Sequence, residues 1–358
     1  MRNRIARARR HGFVLPYVVV VTLLVSILSL GAVTVAWRGH RAARLGAGGV
    51  RAQLAADEGL ALQLDRWPRD SLAALPLGHT LRTTVVTAIG DPVRSDITRT
   101  HPLIAWTRAR VLLDRIGTPG AVRRVVQRVV WLDPPAVPLP AALSVLGTAR
   151  GQGQSEISGA DLPSSTDDCG TPRDSVSVAA LMATALTEGP TATWERRPAW
   201  HAPADIAALR TQFERAWPVL VAASRVVPRD STPATVGPLL GWHSLLLVGT
   251  PVTTQGPARW RGLLGIAGDL IVRDALEVDG LLVVRGHLDV RAGALRVRGA
   301  VLVAPPRAAM IPPEGERAAA ELGGNTAVHY DRCAVQMALA TVAEPRAVPF
   351  LSWLAPPP

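Results

Sequence analysis

The chain contains no lysine and only two cysteines, and the missing lysine decides how its charge is interpreted. With arginine as the sole strongly basic residue, the net charge of +11 over 358 residues reflects codon composition more than a selected basic surface. Five of those arginines precede the residue His11. The remainder are scattered among acids and do not alternate with aromatics in one patch, as nucleic-acid-binding surfaces do. Nucleic acid is therefore not an expected partner.

Sequence motifs for catalysis and for bound cofactors are also absent. There is no glycine-rich phosphate loop opening a helix, no H-E-x-x-H pair and no calcium loop with regularly spaced acids. His243 beside Ser244 has suitable residue types but no identifiable third group. His287 and Asp289 would share one strand face, as a weak metal pair or as a solvated surface. The sequence predicts no enzyme and no cofactor, and it assigns no catalytic, cofactor-binding or metal residue.

The most informative feature of the chain is an apolar run without any charge, residues 13–37. A bilayer core of about 30 Å requires about 20 apolar residues in a helix, because hydrocarbon offers no partner to a free N–H or C=O. We expect the helix to continue to about residue 65, or roughly 80 Å, and to project as a stalk. Glycines at 46, 48 and 49 predict a bend or a melted segment in that stalk.

The arginines before the apolar run predict its orientation. Arg2, Arg4, Arg7, Arg9 and Arg10 should stay on the cytoplasmic side, so that the chain after about residue 40 lies across the membrane. A secretory signal is disfavoured, because the run is long and is followed by more arginines instead of a small-residue cleavage site.

Two interpretations of the amino terminus then remain, a plain anchor and a leader that is cut between Gly12 and Phe13. Pro16 fits the second interpretation on physical grounds. Proline costs little in the first turn of a helix and about 3 kcal/mol further inside, and a chain cut after Gly12 places Pro16 in that first turn. From these residues alone the two interpretations are equally good.

The amino-terminal motifs resemble those of a known family. Residues 9–16 read R-R-H-G-F-V-L-P, an apolar helix and the Arg38, Arg41, Arg44 patch follow, and residues 55–60 read A-A-D-E-G-L. Together they resemble PilX-type minor pilins and the K-type pseudopilins of type II secretion. The resemblance extends from Met1 to about Asp65, and it favours cleavage between Gly12 and Phe13.

The resemblance carries further expectations about partners and location. It implies a prepilin peptidase, other pilin or pseudopilin subunits and the bacterial inner membrane as partners, with the bulk of the chain periplasmic. Major pilins carry a glutamate at the fifth mature position, where it pairs with a neighbour's terminal amine, whereas this chain has Tyr17. Tyrosine cannot neutralise an amine, so the resemblance points to a minor, initiating or tip-type subunit. The rival from another class is a static envelope protein, tethered by the helix, whose β-solenoid binds a polysaccharide or a protein partner.

The two cysteines, Cys169 and Cys333, are too few for a structural zinc site without suitably spaced histidines, and neither lies in a C-x-x-C pair. On the outer side of a membrane thiols tend to be oxidised, which favours one long-range disulfide over two unpaired thiols.

The predicted fold class is α+β: a long amino-terminal transmembrane helix, then a β-rich outer domain with a helical insert and a short β-solenoid-like repeat. Alternating residues in 81–88, 103–113 and 122–131 predict an antiparallel meander, with turns at Gly90 and at 117–120. Residues 141–172 predict a connecting loop. We expect helices within 176–224, with Ile206, Leu209, Phe213 and Trp217 on one apolar stripe.

Residues 262–304 carry a quasi-repeat of roughly six to seven residues, cut by Gly268, Gly280, Gly286, Gly293 and Gly299. A β-solenoid is preferred, with a meander of hairpins as the alternative. The predicted organisation is a leader (1–12), a transmembrane and stalk helix (13–66), a β-meander region (67–147), a loop and helical insert (148–240), a glycine-punctuated, solenoid-like β-repeat (241–310) and a C-terminal helix with a Pro-rich tail (311–358).

Overall fold

The fold is taken from a computed structural model of the chain. It describes residues 14–73, 75–113, 122–151, 154–161, 178–183, 185–187, 193–195, 199–200, 203–228, 241–249, 251–306, 318–323 and 325–348. The predicted cleavage site at Gly12 and Phe13, the turn at 117–120 and Cys169 lie outside the described residues. The pairing of Cys169 with Cys333 therefore stays a prediction.

One long helix, α1 (Val14–Asp65), opens the described chain and agrees closely with the predicted helix. It continues without interruption through Gly46, Gly48 and Gly49, so the prediction of a melted segment there is wrong. The glycine cost of about 1 kcal/mol each is outweighed, because this part of the helix reaches the folded body and Gly48 and Gly49 are buried. A short helix, α2 (Arg69–Ala73), follows.

The predicted meander is confirmed as an antiparallel sheet against which α1 packs. Its strands are β1 (Thr80–Val86), β2 (Pro92–His101), β3 (Ile104–Leu113) and β4 (Val122–Asp133), with the carboxy-terminal β22 (Glu344–Ala347) beside β4. Every neighbouring pair is antiparallel. We call this five-stranded unit the antiparallel sheet. Its last strand follows all the other strands in the chain, so the outer domain is not a simple succession of segments.

The rest of the body consists of parallel strands in two sheets that advance together, which we call the parallel stack. The long-strand sheet follows the order β10, β7, β21, β19, β17, β15, β13, β12, and the short-strand sheet follows β14, β16, β18, β20, β6, β9. The bounds are β5 (Ala141–Val145), β6 (Thr148–Gly151), β7 (Gln154–Ser158), β8 (Ala179–Ala183), β9 (Ala185–Thr187), β10 (Thr193–Glu195), β11 (Ala199–Trp200), β12 (Arg225–Pro228), β13 (His243–Val248), β14 (Val252–Thr253), β15 (Ala258–Ile266), β16 (Leu270–Ile271), β17 (Ala275–Val284), β18 (Leu288–Asp289), β19 (Ala294–Val303), β20 (Ala320–Leu322) and β21 (Asn325–Tyr330).

Parallel pairing rules out the hairpin alternative for residues 262–304, since consecutive hairpin strands are antiparallel. The register also corrects the repeat length. Ala258 pairs with Leu276, and Ala275 pairs with Ala294. The six- to seven-residue spacing in the sequence is therefore about one third of the distance along the chain between stacked neighbours.

Gly280 and Gly299, which were expected to end strands, lie inside β17 and β19 instead. Gly262, Gly280 and Gly299 pair with one another across β15, β17 and β19. All three have positive φ, between +124° and +141°. Before this glycine row burial alternates along β17 and β19, and after it every residue is buried. The row marks the place where each long strand passes from a half-exposed sheet into the interior.

The strands β5, β6 and β7 lie where a loop was expected after residue 141, and they join the end of the stack. Val301 of β19 pairs with Leu143 of β5, and Ala327 of β21 pairs with Glu156 of β7. The expected helix after residue 176 is also wrong, since β8 and β9 lie there. Its run of small apolar residues resembles that of a parallel-sheet strand buried on both faces, and periodicity cannot distinguish such a strand from a helix.

The second expected helix is confirmed as α3 (Pro203–Ala223). Ile206, Phe213 and Trp217 are buried in the main core and Leu209 is partly buried against it. The helix α3 lies beside the carboxy-terminal ends of the long strands. Its buried Arg210 donates to the carbonyls of Leu146 and Pro305, and its Glu214 lies 2.9 Å from Arg285.

The expected carboxy-terminal helix is α4 (Arg332–Ala340), which contacts β15, β17 and β19 and leads into β22. Its amino end is capped by Asp331, whose side chain accepts from the Ala334 N–H.

Candidate functional site: the apolar helix and its anchorage

The first part of α1 is apolar and exposed. Every side chain from residue 16 to residue 44 is exposed. The hydroxyls of Thr22, Ser26 and Thr34 each donate to the carbonyl four residues earlier, at 2.7 Å. Hydroxyls satisfied in this way cost little in hydrocarbon. The helix is long and apolar enough to cross a membrane.

The start of the helix accommodates its proline. Because α1 begins at Val14, Pro16 lies in the first turn, where no intrahelical N–H bond is lost. Tyr17, which the sequence resemblance aligns with the glutamate of major pilins, follows immediately and is 71% exposed.

The last third of α1 is docked on the antiparallel sheet through small side chains. Ala52, Ala55, Ala56 and Leu60 form a buried cluster with sheet residues Val93, Ala109, Val111 and Val126. A Cβ added at Gly59 would come within 2.7 Å of the Val93 side chain. The helix and the sheet therefore approach as closely as glycine and alanine allow.

Polar contacts on one side of α1 fix its position along the antiparallel sheet. Arg51 forms a two-point ion pair with Asp91 in the β1–β2 turn, at 3.0 and 2.9 Å. The Glu58 carboxylate accepts from the backbone N–H of Ala88 in the same turn, at 2.7 Å. Both contacts prevent α1 from sliding along the sheet.

Two more contacts complete the anchorage. Arg128 of β4 lies 3.3 Å from Asp57, and the Gln63 amide donates to the Thr83 hydroxyl at 2.9 Å. The A-A-D-E-G-L segment thus has a structural role at each position: alanines, glycine and leucine face the sheet, and the two acids hold it. Its resemblance to a family motif was the only sequence signal for this role, and nothing indicated Arg51 or Asp91 as partners.

A second surface of interest is the exposed face of the long-strand sheet. Arg259, Glu277 and Arg296 occupy paired positions in β15, β17 and β19, with Glu277 3.7 Å from Arg259 and 3.8 Å from Arg296. They line a groove of about 420 Å³ together with Asp279, Arg298, Ala327 and His329.

The next row on that face has shorter ion-pair distances. Arg261 lies 3.4 Å from Asp279 and stacks on the Trp242 ring at 4.6 Å, and Arg298 lies 2.7 Å from Asp331. Burial raises the pKa of Asp279, and the charges of Arg261 and Arg298 oppose that rise. This row links the sheet face to the cap of α4.

The junction of the antiparallel sheet with α4 holds a histidine. The side chain of His101, at the end of β2, is exposed, but partial desolvation of its ring and the nearby charges of Arg332 and Arg99 lower its pKa. Its Nδ1 accepts from the Leu103 N–H at 3.3 Å, which requires the neutral ring. Cys333, one residue into α4, is buried with Trp242, Ala334 and Met337.

Three of the residues considered for catalysis or metal binding, Ser244, His287 and Asp289, have other partners. Ser244 donates to the Ala223 carbonyl at 3.5 Å. His287 Nδ1 is 3.1 Å from the Ala318 carbonyl oxygen, while Asp289 pairs with Arg291 at 2.7 Å. Within the described ranges no group of three or more His, Cys, Asp or Glu side chains could hold a metal ion.

No family model, curated protein or solved structure matches the chain.

Proposed function

We propose that this chain is a prepilin-like minor pilin or pseudopilin, a structural component of a type IV pilus or a type II secretion filament. It is held in the bacterial inner membrane by α1, with its amino terminus in the cytoplasm and its body in the periplasm. A prepilin peptidase removes residues 1–12, and the helix then packs with those of other pilin or pseudopilin subunits.

The observation that carries the proposal is the division of α1 into two parts. Residues 16–44 are exposed and almost entirely apolar up to Trp37, whereas the A-A-D-E-G-L segment is docked on a sheet. A subunit that transfers its helix from lipid into a helical filament core needs this division, because the same apolar surface must suit both environments. Because the docked part is packed on the sheet, the body moves together with the helix.

The side chain of Tyr17 suggests a place for the subunit. A tyrosine at the fifth mature position cannot neutralise a neighbour's terminal amine, and Tyr17 is exposed on the helix. A subunit at an end of the filament, where one neighbour is missing, does not depend on that charge pair. This supports a minor, initiating or tip position.

A second function is favoured by the parallel stack. The offset between paired residues, such as Ala258 with Leu276, is about three times the six- to seven-residue spacing, which supports a three-sided β-solenoid with one such unit on each side of a coil. The charged groove of about 420 Å³ lies along one such side. As a static, tethered envelope protein, the chain would bind a polysaccharide or a protein partner there.

In either function the oxidising compartment favours a Cys169–Cys333 disulfide, which peptide mass spectrometry without reduction would detect.

The amino terminus of the mature chain tests the first function against the second. The full-length chain is expressed with and without a prepilin peptidase, extracted from membranes and sequenced from its amino terminus. The pilin function predicts a start at Phe13 only when the peptidase is present. Gly12→Val should keep the leader, and Gly31→Ala, in an open position of the same helix, should be processed normally.

An intact amino terminus in the presence of active peptidase, with a control prepilin processed in the same cells, would overturn the pilin function. It would leave the tethered envelope protein as the remaining function.

A further inference from the structure

A group of basic side chains surrounds α1 between its apolar part and its docked part. Arg38, Arg41 and Arg44 follow Trp37 directly, and all four side chains are exposed. The Arg41 guanidinium lies 5.5 Å from the centre of the Trp37 ring. Trp37, Arg41 and Arg44 are four and three residues apart and therefore lie on one helix face. We call these four residues the basic collar.

No acidic residue neutralises the collar from within α1. The helix contains no Asp or Glu before Asp57. Arg51, the next arginine, is paired with Asp91, whereas in the described part of the chain Arg38, Arg41 and Arg44 make no ion pair. Three guanidinium groups are therefore available to an anionic ligand.

The height of the collar along α1 fits the headgroup layer of a bilayer. Arg38 to Arg44 spans about 9 Å of helix, and the layer on each side of the hydrocarbon core is about 5 to 8 Å thick. Trp37 stands at the boundary that tryptophan prefers. The first residue of α1 described as buried is Gly48, about 6 Å beyond Arg44, so the body begins just above this layer.

We propose that the basic collar binds the phosphate groups of anionic phospholipids in the leaflet that faces the body. Guanidinium groups match phosphate with two parallel hydrogen bonds, and basic residues next to a membrane helix attract anionic lipid. The inference depends on the proposed insertion of α1. Once the leader and its five arginines are removed, the collar holds the positive charge that fixes the depth of the helix until assembly.

The test uses the full-length chain in vesicles of phosphatidylcholine and phosphatidylglycerol, with a spin label on one lipid or the other. Electron paramagnetic resonance gives the relative affinity of the protein for the two lipids. We expect a preference for phosphatidylglycerol on the order of fivefold or more, since each arginine near the surface contributes about that factor. High salt should reduce it.

Two sets of variants distinguish the effect of the basic collar from the effect of the other arginines of the chain. Arg38→Gln, Arg41→Gln and Arg44→Gln together should bring the preference close to one, while the three Lys substitutions should keep most of it. The matched control changes Arg94, Arg215 and Arg225 to Gln, which are exposed on the body and should leave the preference unchanged.

Equal preference in the wild type and the triple Gln variant would overturn the collar. A chain that inserts but shows no lipid preference would overturn it too, leaving the membrane helix intact. Absence of any motionally restricted lipid would mean that α1 does not insert, which contradicts the proposed function itself.

Discussion

At the scale of single residues, the glycine row of the parallel stack is a tight constraint on the described part of the fold. A Cβ at Gly280 would lie 2.2 Å from the carbonyl oxygen of Gly262, and a Cβ at Gly299 would lie 1.8 Å from that of Gly280. The positive φ of both residues is also unfavourable for any other residue. Each of these strands therefore needs glycine at the point where its backbone meets a carbonyl oxygen of the preceding strand.

Gly280→Ala should destabilise the chain by about 3 kcal/mol or more, from the backbone contact together with the positive φ. Denaturant unfolding of the full chain in detergent measures the loss. Gly256→Ala is the control, because Gly256 has φ +82° but nothing within 4 Å. It should cost only about 1 to 2 kcal/mol. Equal losses for the two variants would show that close stacking of the strands is not the constraint.

Arg210 is the second residue with a decisive role, because it is 1% exposed and donates to two carbonyls from different parts of the chain. Arg210→Ala should cost about 2 to 4 kcal/mol, since the carbonyls of Leu146 and Pro305 lose a buried donor. Arg215→Ala, exposed on the same helix, should change stability by less than about 0.5 kcal/mol. If unfolding curves show the same small change for both, the contacts of Arg210 do not hold α3 in place.

At the scale of elements, α1 depends on how closely it approaches the antiparallel sheet. Gly59→Leu should lift the helix from the sheet, because its Cβ alone would meet Val93 at 2.7 Å. Hydrogen exchange should then increase in residues 50–65. Gly46→Ala, with nothing within 4 Å, should instead protect the helix slightly, by about 1 kcal/mol. Unchanged exchange in Gly59→Leu would contradict the close docking.

Elements whose signal is local could be predicted from the sequence. The apolar run indicated α1, the alternation indicated β3 and β4, and the stripe of Ile206, Phe213 and Trp217 indicated α3. Strands whose partners are distant could not be predicted in the same way. β5 owes its state to pairing between Leu143 and Val301, which no local pattern reveals.

In the candidate site, too, features with a local sequence signal could be predicted, and features that depend on distant partners could not. The exposed apolar helix could be predicted, because length and hydropathy suffice to indicate a candidate membrane helix. The pairing of Arg51 with Asp91 and the glycine row could not, since each depends on a register that only the folded chain defines.

At the scale of the whole molecule, the carboxy-terminal segment connects the two units. α4 packs on the parallel stack, and β22 then completes the antiparallel sheet, with Val130 paired to Ala347. His101 lies at this junction, close enough to Arg332 of α4 to be influenced by its charge.

The junction should weaken in mild acid. The folded state lowers the pKa of His101 below its ordinary value of 6.5, so the unfolded chain binds more protons as the pH falls below about 6.5. The contribution of His101 to stability is therefore complete above that pH and is lost on acidification. The free energy of unfolding, measured with denaturant between pH 7.5 and 5, should fall with pH. His101→Gln should reduce this fall, whereas His79→Gln, at a second exposed histidine, should not. A slope unchanged by His101→Gln would assign the acid sensitivity to other groups.

The location of the body relative to the membrane tests the central claim most directly. Cells that produce the full-length chain are converted to spheroplasts and treated with protease, and their membranes are washed at alkaline pH. We expect the protein to stay in the washed membranes and its body to be digested in spheroplasts but not in intact cells. Recovery of the chain as a soluble cytoplasmic protein, protected from protease in spheroplasts, would contradict the account.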